Sequence, residues 1–84
     1  MGYYLVAYNS VTFANRINNH FKYRADFLGV VHTPRSISKS GCSYSVKVRE
    51  SLLRDVIEVS EGLGIKVKAV FYRGNDGTYR EVSL

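Results

Sequence analysis

The sequence predicts one α+β domain with an antiparallel sheet and two helices, because strand and helix periodicities alternate along it in the order βαββαβ. Apolar residues recur every second residue in short runs and every third or fourth residue in two longer ones. The 84 residues are 45% hydrophobic and 23% charged, which is close to the average of a folded globular domain. We therefore expect a single domain over residues 1–84.

The first third of the chain predicts a strand, a helix and a second strand. Residues 3–8 are aromatic and β-branched, which is typical of a strand, and Asn9 or Ser10 can cap the helix that follows. Helical spacing predicts that this helix ends near Phe27, and residues 28–32 then form the second strand. The apolar face of the helix comprises Phe13, Ala14, Ile17, Phe21, Ala25 and Leu28.

The middle of the chain predicts a third strand and a second helix. Strand alternation resumes at Ser43 and points successive side chains to opposite faces. Ser51 can cap the second helix, and Gly62 or Gly64 suits its C-terminal end. One face of the strand comprises Tyr44, Val46 and Val48, and the helix stripe comprises Leu52, Leu53, Val56, Ile57 and Leu63.

The last quarter predicts a fourth strand over residues 65–72, a turn at 75–77 and a short fifth strand within 78–83. One face of the fourth strand comprises Ile65, Val67, Ala69 and Phe71. Two split βαβ units with right-handed crossovers give a ferredoxin-like sandwich with both helices on one face of the sheet. The expected strand order is 4-1-3-2.

The connection between the second and third strands, residues 33–43, holds the only proline and the only cysteine of the chain. It is polar and basic and lies between two apolar runs. The topology places it beside the start of the first helix, where free backbone amides favour anions, and beside the end of the second helix. Cys42 in this setting is the candidate reactive thiol.

The chemistry of a sulfur carrier fits these residue types. A carrier needs a thiolate that accepts a sulfane sulfur, and nearby cations favour that form. A free thiol, with a pKa of ~8.5, is ionised only to a few per cent at neutral pH. No second cysteine can resolve a persulfide within the chain, so the sulfur must pass to another molecule. The residues expected to surround the Cys42 acceptor are Arg35, Ser38, Lys39, Ser40, Gly41 and Ser43.

The same stretch resembles a family of small bacterial proteins known as selenium/sulfur carrier-like. The motif that carries the resemblance is Thr33-Pro34-Arg35, Ile37-Ser38, Ser40 and Gly41-Cys42. The resemblance implies a ferredoxin-like fold and a role in handling sulfur or selenium. A carrier of this kind implies a cysteine desulfurase or a sulfur or selenium acceptor protein as partner.

The order of two residues departs from the usual family pattern. In that pattern cysteine follows serine directly and glycine comes next, whereas this chain reads Ser40-Gly41-Cys42-Ser43. A shift of one residue beside a strand turns a side chain toward the opposite face of the sheet. The direction of the Cys42 side chain therefore decides whether the carrier hypothesis holds.

The alternative is a structural role for the loop. A lone cysteine at the mouth of a strand is often a small buried hydrophobic residue, and Arg35 can tie down backbone carbonyls instead of binding an anion. The chain would then be a non-catalytic ligand-binding or protein-interaction module. We expect a carrier or binding protein rather than an enzyme. We expect no cofactor and no metal site, because His20 and His32 lie far apart, although His32 can face Cys42 across the hairpin.

The net charge of +5 is spread along the chain and forms no basic run. RNA-binding sheets stack bases on exposed aromatic side chains, and burial of the Tyr44 face leaves the third strand without one there. Nucleic acid is therefore the least favoured partner. No apolar run approaches the ~20 residues of a membrane span, and a single cysteine fits a reducing compartment. We expect a cytoplasmic protein without a signal peptide, and the open sheet face and edges allow a homodimer.

Overall fold

In residues 2–34, 37 and 44–82, which the computed structural model describes, the chain forms two helices and one five-stranded antiparallel sheet. The predicted α+β class is confirmed. The strands lie in the order β2-β3-β1-β4-β5, which reads β5-β4-β1-β3-β2 from the other edge. The elements are β1 (Tyr3–Tyr8), α1 (Val11–Phe21), β2 (Phe27–His32), β3 (Tyr44–Val48), α2 (Glu50–Gly62), β4 (Ala69–Arg73) and β5 (Tyr79–Val82).

The side chains of the central strand β1 show the two faces of the sheet, because successive side chains of a strand point to opposite sides. Both helices cover one side, which we call the helix face, and the opposite side is the outer face. The helix-face core contains the fully buried Val46 and Val48, as the alternation in β3 predicts. The other buried members of this core are Val6, Tyr8, Ala14, Ile17, Phe21, Phe27, Leu52, Val56, Ile65 and Val70.

Helix α1 begins as predicted but ends six residues early. The Phe13 amide donates to the Ser10 side chain at 3.4 Å, so Ser10 is the N-cap. The helix ends at Phe21, and Phe27 already belongs to β2. The prediction was wrong because Ala25 and Leu28 repeat the helical spacing only by coincidence; both are exposed.

The segment after α1 is tied to the start of α2 instead. The Asp26 carbonyl accepts the Arg49 amide at 3.0 Å, and the Ser51 hydroxyl donates to the Asp26 carboxylate at 3.0 Å. The prediction that Ser51 caps α2 is therefore wrong: Arg49 occupies the cap position without a side-chain hydrogen bond. Gly64 has a φ of +72° just beyond Leu63, the C-cap, which fits the predicted glycine at this end.

Strand β4 begins at Ala69, four residues later than predicted. The Ile65 amide donates to the Ser60 carbonyl at 2.9 Å, so the chain is still closing the end of α2 at that point. Ile65 and Val67 consequently pack into the helix-face core, whereas Ala69 and Phe71 lie on the outer face. The prediction that all four residues share one face is therefore wrong.

The β4–β5 turn forms where the sequence predicts it. The Asp76 carboxylate accepts the Thr78 amide at 3.1 Å and the Thr78 hydroxyl at 2.8 Å, and Gly77 has a φ of +80°. Strand β5 follows at once and becomes an edge of the sheet. In the described part of the chain, neither helix has the length and apolar character needed to cross a membrane.

Candidate functional site

The ends of the β2–β3 connection lie at the predicted end of the sheet. Tyr8, the last residue of β1, pairs with Tyr44, which in turn pairs with His32. The α1 cap Ser10 follows Tyr8 by two residues, and Ser60 near the end of α2 hydrogen-bonds the Tyr8 hydroxyl at 2.6 Å. The ends of β2 and β3 that flank the connection therefore lie beside the beginning of α1 and the end of α2, as expected.

All seven residues predicted to form the carrier site lie outside the described residues. These are the predicted acceptor Cys42 and the binding residues predicted around it, Arg35, Ser38, Lys39, Ser40, Gly41 and Ser43. The described residues of the connecting motif are Thr33, Pro34 and Ile37. These three residues show how the motif attaches to the sheet.

A buried hydrogen bond joins the two sides of the connection. The Thr33 hydroxyl, just after β2, lies 2.6 Å from the Ser45 hydroxyl in β3. Both side chains are buried, with 8% and 0% of their surface exposed. A buried hydroxyl that loses its partner costs about 1–3 kcal/mol, so this bond, which we call the hydroxyl clip, holds the two strand ends in register. The only sign of it in the sequence is the threonine that precedes Pro34.

Ile37 folds back onto the outer face. Its amide donates to the Pro34 carbonyl at 3.1 Å, which closes a turn, and its side chain packs against a cluster of Leu5, Ala7 and Phe71. These three side chains are 1%, 2% and 8% exposed. The expectation of an open sheet face is therefore wrong at its centre, where Ile37 packs on the sheet.

A second group of polar side chains lies on the outer face, at the end away from the β2–β3 connection. It consists of Tyr3, Lys47, Arg73 and Tyr79, which we call the tyrosine–cation cluster. The Arg73 guanidinium donates to the Tyr3 hydroxyl at 3.0 Å, and the Tyr3 and Tyr79 hydroxyl oxygens lie 3.3 Å apart. The Lys47 ammonium lies 4.2 Å from the centroid of the Tyr3 ring. Sequence reasoning missed this cluster.

The electrostatics of the cluster favour negative charge. Partial burial raises the pKa of Tyr3, but hydrogen bonds with Tyr79 and Arg73 and the charges of Arg73 and Lys47 outweigh it, so the pKa lies below its ordinary value. The pKa of Tyr79 is raised by partial burial and by its hydrogen bond with Tyr3. The two cations thus stabilise an anionic oxygen at the Tyr3 position.

The histidines form no shared site. His32 lies with its ring centroid 4.3 Å from that of Tyr44, beside the connection, whereas His20 lies in α1 near Phe21. Within residues 2–34, 37 and 44–82, no three histidine, cysteine or acidic side chains are grouped to hold a metal ion. The pairing of His32 with Cys42 stays a prediction.

A comparison with protein families identifies the chain. The model of the family described as "Putative Se/S carrier protein-like" matches residues 3–72. The chain belongs to this family. The predicted resemblance is thereby confirmed, and the match includes the whole β2–β3 connection with Cys42. Comparisons with curated proteins and with solved structures give no match.

The family match covers one of the two groups of outer-face residues completely and the other only in part. The hydroxyl clip and Ile37 fall inside the Se/S carrier-like region. Of the tyrosine–cation cluster, Tyr3 and Lys47 fall inside it, whereas Arg73 and Tyr79 lie beyond its last residue. The cluster is therefore completed by a part of the chain that the family match does not cover.

Proposed function

We propose that this protein carries sulfur or selenium on Cys42, the only thiol of the chain, from a donor protein to an acceptor. The observation that supports the proposal is the Se/S carrier-like match, which spans the whole loop that contains Cys42. Arg35 and Lys39 are the cations proposed to favour the thiolate. The βαββαβ order supports a ferredoxin-like assignment of the domain, and a free thiol carrier requires a reducing compartment such as the cytoplasm.

The transfer step needs no oxidant. The Cys42 thiolate attacks the terminal sulfur of a persulfide on the donor, the donor's sulfur–sulfur bond breaks, and the donor leaves as a thiolate. A new sulfur–sulfur bond forms on Cys42, so one bond replaces another and the number of electrons is unchanged. The acceptor thiolate then repeats the same attack on the Cys42 persulfide.

The hydroxyl clip supports this role through positioning. It fixes the two strand ends from which the connection departs, and Ile37 holds a third point on the sheet. The exchange requires that the attacking, transferred and leaving sulfur atoms lie close to one line, so a loop with fixed attachment points loses less entropy when a donor docks. The clip is therefore a positioning element, and the thiol does the chemistry.

The test is mass spectrometry of the intact protein after incubation with a cysteine desulfurase and cysteine. We expect an adduct of about 32 Da, the mass of one sulfur atom, on the natural chain and none on Cys42→Ser. The matched control is the double variant Cys42→Ser with Asn19→Cys, which presents a single exposed thiol on α1. Equal adduct formation on the Asn19→Cys thiol would show general thiol reactivity and refute a dedicated carrier.

The order of Gly41 and Cys42 gives a second test. Exchanging the two residues, with Gly41→Cys and Cys42→Gly, restores the usual family order and turns the thiol toward the other side. If Cys42 is the acceptor in its natural position, the exchanged variant should load at least about ten-fold more slowly. If neither the natural chain nor the exchanged variant accepts sulfur, the carrier proposal is refuted and the non-catalytic module is favoured instead.

A further inference from the structure

The tyrosine–cation cluster brings together residues from four strands. Tyr3, Arg73 and Tyr79 lie in one row across β1, β4 and β5, and Lys47 projects from β3 on the other side of Tyr3. All four side chains are half-buried, so part of each remains accessible. The apolar cluster of Leu5, Ala7 and Phe71 lies beside them on the same face.

The cations of this cluster lack a carboxylate partner. Among the described residues an ion pair joins Arg24 and Asp26, which lie between α1 and β2, and no described carboxylate forms one with Lys47 or Arg73. Glu81 pairs with Phe71 and so lies on the outer face too, but it makes no ion pair with Arg73. The Lys47 ammonium lies 4.2 Å and the Arg73 guanidinium carbon 5.8 Å from the centroid of the Tyr3 ring, so an anion bound beside this ring would be attracted by both charges.

Of the two tyrosine hydroxyl hydrogens in the cluster, only one is used in the hydrogen bond between Tyr3 and Tyr79. Each tyrosine has one hydrogen, and Arg73 already donates to the Tyr3 oxygen. Either Tyr3 donates to Tyr79 or the reverse, so one of the two hydroxyl hydrogens is not used between them. That hydrogen, the Lys47 ammonium and the remaining Arg73 N–H groups are all donors at this end of the outer face.

We propose that the tyrosine–cation cluster is a binding site for a phosphate-type oxyanion, either free or as the phosphate of a small ligand whose planar ring lies against Tyr3 or Tyr79. Several donors with two positive charges match an oxygen-rich dianion, and charge-assisted bonds of this kind are the strong ones. Arg73 offers a planar pair of donors, and Lys47 adds a point charge. The site does not involve Cys42 and is independent of the carrier proposal.

The test is titration of the natural chain, at low ionic strength, with inorganic phosphate and separately with adenosine monophosphate, followed by NMR shifts of backbone amides. We expect saturable shifts in β1, β3, β4 and β5. Lys47→Gln and Arg73→Gln should each weaken binding about ten-fold or more, because a charge-assisted bond is worth roughly 1.5–3 kcal/mol.

The matched control is Arg80→Gln. Arg80 is an exposed residue next to Tyr79, but it pairs with Tyr72 and lies on the other face. The substitution removes the same charge, so the affinity should change less than about two-fold. Arg73→Lys, which keeps the charge but loses the planar pair of donors, should give an intermediate affinity and the natural spectrum, which separates binding from folding.

The two probes distinguish the ligand sources. Equal affinity for both identifies a free oxyanion, and tighter binding of the nucleotide identifies a ligand with a ring on the tyrosines; either result supports the site. Equal losses in Arg80→Gln and Arg73→Gln would show diffuse attraction and overturn the proposal. So would binding of single-stranded oligonucleotides alone with a steep salt dependence. The Cys42→Ser variant should bind both probes as the natural chain does.

Discussion

Alkaline pH should destabilise the fold through Tyr8, the largest fully buried side chain of the core. Its hydroxyl lies 2.6 Å from the Ser60 hydroxyl, which itself donates to the Val56 carbonyl at 2.8 Å. Since the single Ser60 hydrogen is used in that bond, Tyr8 must be the donor to Ser60. A phenolate could not donate, and it would be a buried charge.

The magnitude follows from linkage between ionisation and folding. Burial raises the pKa of Tyr8 to about 12. An unfolded tyrosine ionises near pH 10. The stabilising contribution is therefore complete below about pH 10 and is lost as the pH rises to about 12, with a total of about 2–3 kcal/mol.

The matched variant Tyr8→Phe makes this effect visible. At pH 8 it should be less stable than the natural chain by about 1 kcal/mol, the usual net value of one hydrogen bond. It cannot ionise, so the two stability curves should cross between about pH 10 and 12, above which the variant is more stable. The measurement is urea unfolding followed by circular dichroism at each pH.

A second variant controls for general effects of alkali. Tyr23 is 89% exposed, so Tyr23→Phe should leave the stability curve parallel to that of the natural chain. A constant stability difference between the natural chain and Tyr8→Phe from pH 8 to 12 would refute the reasoning, because it would mean that Tyr8 ionises equally well in both states.

Three further expectations concern the connection and α2, and urea unfolding measures all of them. Thr33→Val should lower the free energy of unfolding by about 1–3 kcal/mol by leaving the Ser45 hydroxyl without its partner, and adding Ser45→Ala should recover part of the loss; purely additive losses would argue against the clip. Ile37→Ala should cost about 1–2 kcal/mol, less than at a fully buried site, and an unchanged stability would mean that its packing contributes nothing. Gly64→Ala should cost about 1 kcal/mol because of the positive φ, whereas Gly62→Ala, in the helix with open space around it, should gain about 0.5–1 kcal/mol; equal signs would contradict this account.

The sequence predicted the elements well where local spacing and packing agree. The alternation of Tyr44, Val46 and Val48 indicated the buried face of β3, since one face of a sheet under two helices must be apolar. The prediction made the first helix too long, because Ala25 and Leu28 continue the helical spacing after Phe21 but are exposed and do not pack in the core. Periodicity records only a repeat along the chain, and the bonds from Asp26 to α2 are not visible in it.

The two groups on the outer face differ in how far the sequence could predict them. The connection is continuous in the chain, so its motif alone marks where it lies. The tyrosine–cation cluster takes one residue from each of four strands, so no local pattern contains it. The prediction also placed the wrong residues on one face of β4, because Ile65 and Val67 precede the strand, which begins at Ala69, and pack into the helix-face core.

The positions of these two groups on one face determine how their functions can interact. Tyr3 belongs to the tyrosine–cation cluster, and Ala7 belongs to the apolar cluster on which Ile37 packs. The two residues are four positions apart in β1, which corresponds to about 13 Å along a strand. Sites at that distance usually act additively. Arg73→Gln should therefore leave the loading of Cys42 by a small persulfide unchanged. If it slows loading only from a donor protein, the donor must cover the outer face from one end to the other, and the anion site would then be part of the docking surface of the carrier.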